Sequence, residues 1–335
     1  MEESIKKPAS ELRFNLVSKD WVVIATGRAR RPETFATQQR ERREVPEKEC
    51  PFCNLGSQEK PVLEYKDENN EWEVTVVPNK FPAFSPHLEG LGERSEGIYS
   101  MMDGVGFHEV VITRDHKKSL AELSVLQIKK VIDAYQERYL DLANEKFVNY
   151  VAIFHNHGHE AGASIVHPHS QIIAMPLIDP DLRRSINGSQ VFFEKHNHCV
   201  HCKMIEQDLE DKQRIIFVNE KFVVLAPFAS RVAFEVRIYP REHHAYFERI
   251  KEVDKVLLAQ AFKEALGRIF RGMNDPAYNF FLHTAPSDGK NYDHYHWHFE
   301  ILPKTSTWAG FELGTGIEIS TVQPEEAARY LREIK

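Results

Sequence analysis

An α+β protein built from two copies of one unit, each an antiparallel sheet carrying a long helix, is predicted by three observations. The 335-residue chain has only four cysteines, and they form two Cys-x-x-Cys pairs, Cys50/Cys53 and Cys199/Cys202. Each pair is followed by a spaced histidine and then by a His-x-His stretch: His116 before His167-Pro168-His169, and His243 before His296-Trp297-His298. The separations agree, 51 positions from His116 to His167 and 53 from His243 to His296. Two long copies are too few for a solenoid, so the repeat reads as a duplication. The chain changes character after Pro176, which gives an N-terminal half over residues 1–178 and a C-terminal half over 179–335.

The elements follow in order. Leu12 to Ala25 reads as two strands around a turn at Ser18-Lys19-Asp20. Residues 27–49 are charged and read as irregular. Glu71 to Val77 is a strand that ends in a rigid loop, Pro78-Asn79-Lys80-Phe81-Pro82, because two prolines forbid a central strand there. Residues 85–104 are rich in Gly, Ser and charge and read as loop, and Gly106 to Thr113 is a strand. Leu126, Ile128, Val131, Ile132, Tyr135, Tyr139 and Leu142 recur near a 3.6-residue period and predict a helix over 124–144. Asn149 to Phe154 and the stretch from His167 are strands. In the second half, residues 179–198 form a polar crossing segment, and 214–217 with 222–226 form a hairpin. Phe234 to Ile238 echoes His108 to Ile112, Val253 to Phe270 echoes the first helix, and Tyr278 to His283 echoes Tyr150 to Phe154.

Composition excludes several classes. With 42% hydrophobic and 28% charged residues the chain is that of a soluble globular protein. No apolar stretch approaches the roughly 20 residues of a membrane helix. The first eleven residues lack the apolar core of a signal peptide, so a cytoplasmic location is expected. The net charge of −7 argues against a nucleic-acid binder, Arg28 to Arg31 and the 40–43 run being local exceptions.

The chemistry concentrates in two motif types. Two thiolates and two imidazoles match tetrahedral zinc, so Cys50, Cys53, His116 and His167 form one expected site and Cys199, Cys202, His243 and His296 another, two Zn²⁺ per chain. His198, His201, His244 and His294 compete as ligands, and His201, inside the second Cys pair, reads as a surface residue. In His167-Pro168-His169-Ser170-Gln171, a strand would put His167, His169 and Gln171 on one face, neighbours about 6.5–7 Å apart at Cα. A free imidazole can attack phosphorus, and an amide can donate to a phosphoryl oxygen without adding charge. Gln171 corresponds to Glu300 in the second copy, where a carboxylate would repel phosphate. Gly158 and the small residues from Ala161 to Ser164 let backbone approach a diphosphate. The active site therefore belongs to the first half, with His169 as nucleophile. The His167 carbonyl would accept from the His169 ring N–H and set its tautomer.

These residues resemble the galactose-1-phosphate uridylyltransferase family of the histidine-triad superfamily. The likeness is carried by the pentapeptide, the Asn156/Gly162/Ser164 loop, Arg28-Ala29-Arg30-Arg31-Pro32 and Asn79-Lys80-Phe81. It implies two histidine-triad-like halves and a homodimer whose sites draw on both subunits. It implies that His169 carries the nucleotidyl group, that Gln171 and Ser164 hold the transferred phosphoryl group, and that Asn156 and Gly162 form the phosphate loop. Arg28, Arg31, Asn79 and Phe81 would meet the nucleotide, and Glu312 the hexose. The implied reaction moves UMP from UDP-glucose to a hexose 1-phosphate, galactose 1-phosphate in galactose metabolism. Ser170 stands where the family often has Gly, and residues 305–316 offer Glu312 but no equivalent of the family's Lys and Gln. Relatives acting as ADP-glucose phosphorylases or adenylyltransferases share these departures, which makes that activity the alternative. A non-catalytic, zinc-containing nucleotide-binding protein is a third reading.

Overall fold

The computed structural model describes residues 10–25, 32–36, 44–86 and 92–334. Arg28, Arg31, Arg40, Arg42 and Arg43 lie outside the described residues. A hairpin of β1 (Glu11–Phe14) and β2 (Trp21–Ile24) comes first, then a short helix α1 (Pro32–Ala36). The first half continues with β3 (Leu63–Lys66), β4 (Trp72–Pro78), β5 (Glu93–Glu96), β6 (Tyr99–Met102), β7 (Phe107–Thr113), helix α2 (Val125–Ala143), β8 (Tyr150–His157) and β9 (His169–Met175). The second half has α3 (Pro180–His196), α4 (Val200–Asp211), β10 (Ile215–Val218), β11 (Phe222–Leu225), β12 (Val236–Pro240), α5 (Glu252–Gly272), β13 (Tyr278–His283), β14 (His298–Pro303), α6 (Gly310–Thr315), β15 (Ile319–Ser320) and α7 (Pro324–Glu333).

The duplication is visible strand for strand. The first half gives the order β3-β4-β7-β9-β8 and the second β10-β11-β12-β14-β13, all antiparallel. The two five-stranded sheets share an edge: β8 pairs with β13, Asn156 opposite Asn279, so ten strands run as one sheet. Joining removes one exposed edge from each copy, the edge being where unpaired backbone invites association.

One face of this sheet is covered by α2 and α5. Ser124 caps α2 with its side chain and Gln127 returns the bond, a capping box. Ile128, Val131, Ile132, Tyr135, Tyr139 and Leu142 of α2 share one core with Ile172, Ala174, Phe299 and Ile301 of the sheet. Alternation along β9 and β14 therefore sends His169 and Gln171, and likewise His298 and Glu300, to the face the long helices leave open. No helix among the described residues is long and apolar enough to cross a membrane.

Several local expectations need correction. Pro168 has no N–H for the ladder, so β9 starts at His169 and His167 lies in the bend before it, not on the strand face. Residues 93–102, read as loop, form the exposed β5–β6 hairpin around Gly97, whose φ of +61° suits glycine. The region read as irregular contains α1, and its Phe35 is buried edge-on to Phe234 with ring centres 5.3 Å apart. The polar crossing segment is α3, with Asp179 accepting from Leu182 N–H at its start.

Candidate active site and metal centres

The first cysteine pair sits on a tight turn beside β7 and the bend before β9. His116 Nδ1 is 3.2 Å from Cys53 Sγ, and His167 Nδ1 is 3.5 Å from both Cys50 and Cys53 sulfurs. The other ring nitrogens face carbonyls: His116 Nε2–H donates to Val45 O at 2.8 Å, and His167 Nε2–H to Thr113 O at 2.6 Å. A carbonyl only accepts, so the proton is fixed on Nε2 and the Nδ1 lone pair is left toward the sulfurs. Burial pushes the His167 imidazolium down to about 4, which keeps the ring neutral at neutral pH.

The second set repeats the pattern. Cys202 Sγ lies 3.4 Å from His243 Nδ1 and 3.5 Å from His296 Nδ1, while the Nε2–H groups donate to Asp293 O and Pro240 O. Within each set all four ligand atoms lie within 4.8 Å of one another. Both donor sets suit one tetrahedral metal ion with no open position. His201 is not a surface residue: it lies on the inner side of α4, fully buried, 5.2 Å from the His298 ring. The fold decides which side of α4 faces inward, which a polar residue type does not reveal.

His169 stands next to the first metal set. Its Nδ1–H donates to the His167 carbonyl at 2.8 Å, which leaves the lone pair on Nε2, a nitrogen with no hydrogen-bond partner among the described residues. Phe52, from inside the first Cys-x-x-Cys, meets the ring edge-on at 5.0 Å. The metal loop thus braces His169 twice, through the His167 carbonyl and through Phe52. Burial lowers the His169 pKa below its ordinary value, so the ring is the free base at neutral pH.

Around it, Gln171 Oε1 lies 2.8 Å from His108 Nε2. Asn79 Oδ1 accepts from Phe81 N–H at 2.9 Å, and the Phe81 ring itself is exposed. Asn156 Oδ1 accepts from Asn279 Nδ2, which also reaches Ala161 O, both at 2.8 Å. That turns the Asn156 amide N–H toward Gly162, whose φ of +89° few other residues adopt. Ser164 is exposed at the rim of this loop. Glu312 stands apart: it accepts from Ala309 N–H at 3.0 Å and caps its own helix, α6.

His108 and Asn279 carried no expectation. Their role depends on β7 lying beside β9 and on β13 lying beside β8, pairings that no residue spacing announces.

The second copy has the same imidazole but a different setting. His298 Nδ1–H donates to the His296 carbonyl at 3.1 Å. Tautomer alone therefore does not separate the two histidines. The His298 ring, however, is stacked on both sides, by Tyr239 at 4.6 Å and His283 at 4.8 Å. Glu300, in the ladder position of Gln171, is held by Arg237 at 2.7 Å and Arg231 at 3.4 Å. A cavity of about 540 Å³ opens over this face, so space is not what distinguishes the halves. The Glu300 oxygens are committed to these two guanidinium groups and a carboxylate has no proton to donate, whereas the Gln171 amide offers an N–H to a phosphoryl oxygen.

Behind β9, Ser170 Oγ shares a hydrogen bond with Tyr135 OH at 2.6 Å and lies 3.1 Å from His155 Nδ1. His155 is fully buried, and desolvation holds its pKa well below the ordinary 6.5. The unfolded chain then binds the extra proton, so stability is complete above pH 6.5 and is lost as pH falls below it. Between pH 6.5 and 5, wild type should lose about 1 kcal/mol per pH unit more than His155→Phe, the slope steepening as pH falls. Denaturant titrations across that window check this, and equal slopes would show that His155 accepts a proton in place.

Residues 1–178 match the family model for the N-terminal domain of galactose-1-phosphate uridyl transferase, and residues 104–333 match a domain of unknown function, DUF4921. The chain is 32% identical to an ADP-glucose phosphorylase of Arabidopsis thaliana, over 99% of this chain and 95% of that protein. It is 29% identical to a galactose-1-phosphate uridylyltransferase of Thermotoga maritima, over 96% of this chain and 98% of that protein. The crystal structure of the Arabidopsis ADP-glucose phosphorylase with bound ADP-glucose superimposes with a TM-score of 0.83 at 30% identity, covering 97% of this chain and 99% of that one. By its duplicated sheet, its pentapeptide and these matches, the chain belongs to the galactose-1-phosphate uridylyltransferase family.

Proposed function

We propose that the protein is a nucleotidyltransferase that phosphorolyses ADP-glucose by double displacement on His169. The observation that carries the reading is the His169 ring, with Nδ1–H given to the His167 carbonyl and the lone pair therefore on Nε2, on the face that bears an amide in place of a carboxylate. His169 Nε2 attacks the α-phosphorus. The bond from that phosphorus to the bridging oxygen breaks, and glucose 1-phosphate leaves with the electron pair. Inorganic phosphate then attacks the adenylyl-imidazole, the N–P bond breaks, ADP forms and the ring regains its lone pair. Two moderate steps replace one difficult one.

In this reading Gln171 and Ser164 hold the transferred phosphoryl group. Asn156 and the Gly162 backbone meet the diphosphate, Asn79 and Phe81 the nucleotide, and Arg28 and Arg31 supply positive charge. Such donors act where charge develops. Zn²⁺ in both Cys₂His₂ sets would hold the loops, and the chain's own residues perform every step. Glu312 caps α6, beside exposed Phe311 and Leu313. A homodimer that brings α6 to the partner's site would give these residues a use.

Adenine and phosphate are preferred because the ADP-glucose phosphorylase is more similar to this chain than the Thermotoga enzyme. The second reading, UMP transfer from UDP-glucose to galactose 1-phosphate, is favoured by the Thermotoga match and by Glu312. Turnover of ADP-glucose and of UDP-glucose, each with phosphate or galactose 1-phosphate, separates them. Fastest product formation is expected from ADP-glucose with phosphate. Fastest formation from UDP-glucose with galactose 1-phosphate would establish the second reading.

A further inference from the structure

We infer that His108 is a positioning residue that locks the Gln171 amide with its NH₂ group toward the reacting phosphoryl group. The inference rests on the reading that Gln171 meets that group. It follows from a chain of donors in which each bond fixes the next. The Ala83 backbone N–H donates to His108 Nδ1 at 3.1 Å. A backbone N–H can only donate, so Nδ1 must be the unprotonated nitrogen and the neutral ring carries its proton on Nε2. Burial also disfavours a second proton on this ring. The Nε2–H then faces Gln171 at 2.8 Å, and only the amide oxygen can accept it. The Gln171 NH₂ is left pointing away from His108, on the open face of the sheet that His169 shares.

Asn79 completes the arrangement. Its oxygen is taken by the Phe81 N–H, so its NH₂ lies on the His108 side, 3.1 Å from Nε2. The loop Asn79–Ala83 thereby orients one donor directly and another through His108. An amide free to flip would present its oxygen to a phosphoryl oxygen part of the time, a repulsive contact where donation is needed.

The second copy has lost this device. The residue two before the partner of Glu300 is Glu235, as His108 is two before Val110, the partner of Gln171. Glu235 is fully buried and bonds Arg237 at 2.9 Å. It holds a cation in place of an amide.

A double-mutant cycle tests the inference. The full-length protein, with His108→Phe, Gln171→Ala and both, is incubated with ADP-glucose and, separately, UDP-glucose, each labelled in the α-phosphate, and the rate of protein labelling is measured. His108→Phe should slow labelling about tenfold to a hundredfold where Gln171 is present. In the Gln171→Ala background it should slow labelling less than about twofold, because the group it orients is gone. His108→Gln, which keeps an N–H in reach, should recover most of the rate. Equal slowing in both backgrounds would make His108 merely structural and overturn the inference. Labelling by UDP-glucose alone would overturn the ADP-glucose reading and leave the cycle readable. Nitrogen-15 NMR of the wild type reads the geometry without activity: His108 should be protonated at Nε2, and the Gln171 side-chain NH₂ should shift when AMP or UMP binds. A proton on Nδ1, or an unmoved amide, would overturn the inference whatever the labelling shows.

Discussion

His169→Ala is expected to lower turnover by about four orders of magnitude or more, the scale on which loss of a covalent nucleophile is felt. His298→Ala should change it no more than about a few-fold, through stability alone. The two histidines make this a demanding comparison. Both follow a metal-set histidine by two positions, both give Nδ1–H to that residue's carbonyl, and both are buried. Their surroundings differ. His169 meets Phe52 edge-on and shares its face with an amide, whereas His298 is enclosed by Tyr239 and His283 beside a carboxylate. Steady-state rates for both variants, with melting curves to confirm folding, check the assignment. Full activity in His169→Ala would move the chemistry to the second half.

The second large effect concerns the metal sets. Wild type should contain about two zinc ions per chain by elemental analysis, and Cys50→Ser about one. Structural zinc contributes on the order of 10–16 kcal/mol in small domains, while whole proteins are stable by about 5–15 kcal/mol. Losing one ligand can therefore consume most of the stability, so Cys50→Ser and His116→Ala should give little soluble protein and a large loss of rate. Cys199→Ser should destabilise similarly but leave more activity per folded molecule. Only the first set is tied to His169, by the His167 carbonyl at 2.8 Å and by Phe52. Pure, fully active protein without zinc would refute the metal assignment.

The metal sets and the His169 tautomer were legible because they depend on short spacings and on a repeat. Cys-x-x-Cys, His-x-His and the matched 51- and 53-residue intervals survive any detail of packing. The α2 helix was legible from its apolar period. What escaped was decided by partners distant in the chain. His108 acts on Gln171 only because β7 neighbours β9, and Asn279 pins the Asn156 loop only because β13 joins β8. His201 reads as polar and exposed, yet α4 turns it inward against Tyr239 and His298. Phe35 sits in a charged stretch and is nonetheless core. Pro168 was visible in the sequence, but its consequence, that the strand begins two residues later, at His169, and frees His167 for the metal set, needed the ladder to be seen.

The most direct measurement is the mass of the protein after mixing with ADP-glucose in the absence of phosphate. One AMP moiety should be gained, on the peptide that contains His169, and it should be acid-labile, base-stable and removed by phosphate with formation of ADP. An adduct on His298, a UMP adduct from UDP-glucose with none from ADP-glucose, or product formation with no adduct at all would contradict the account.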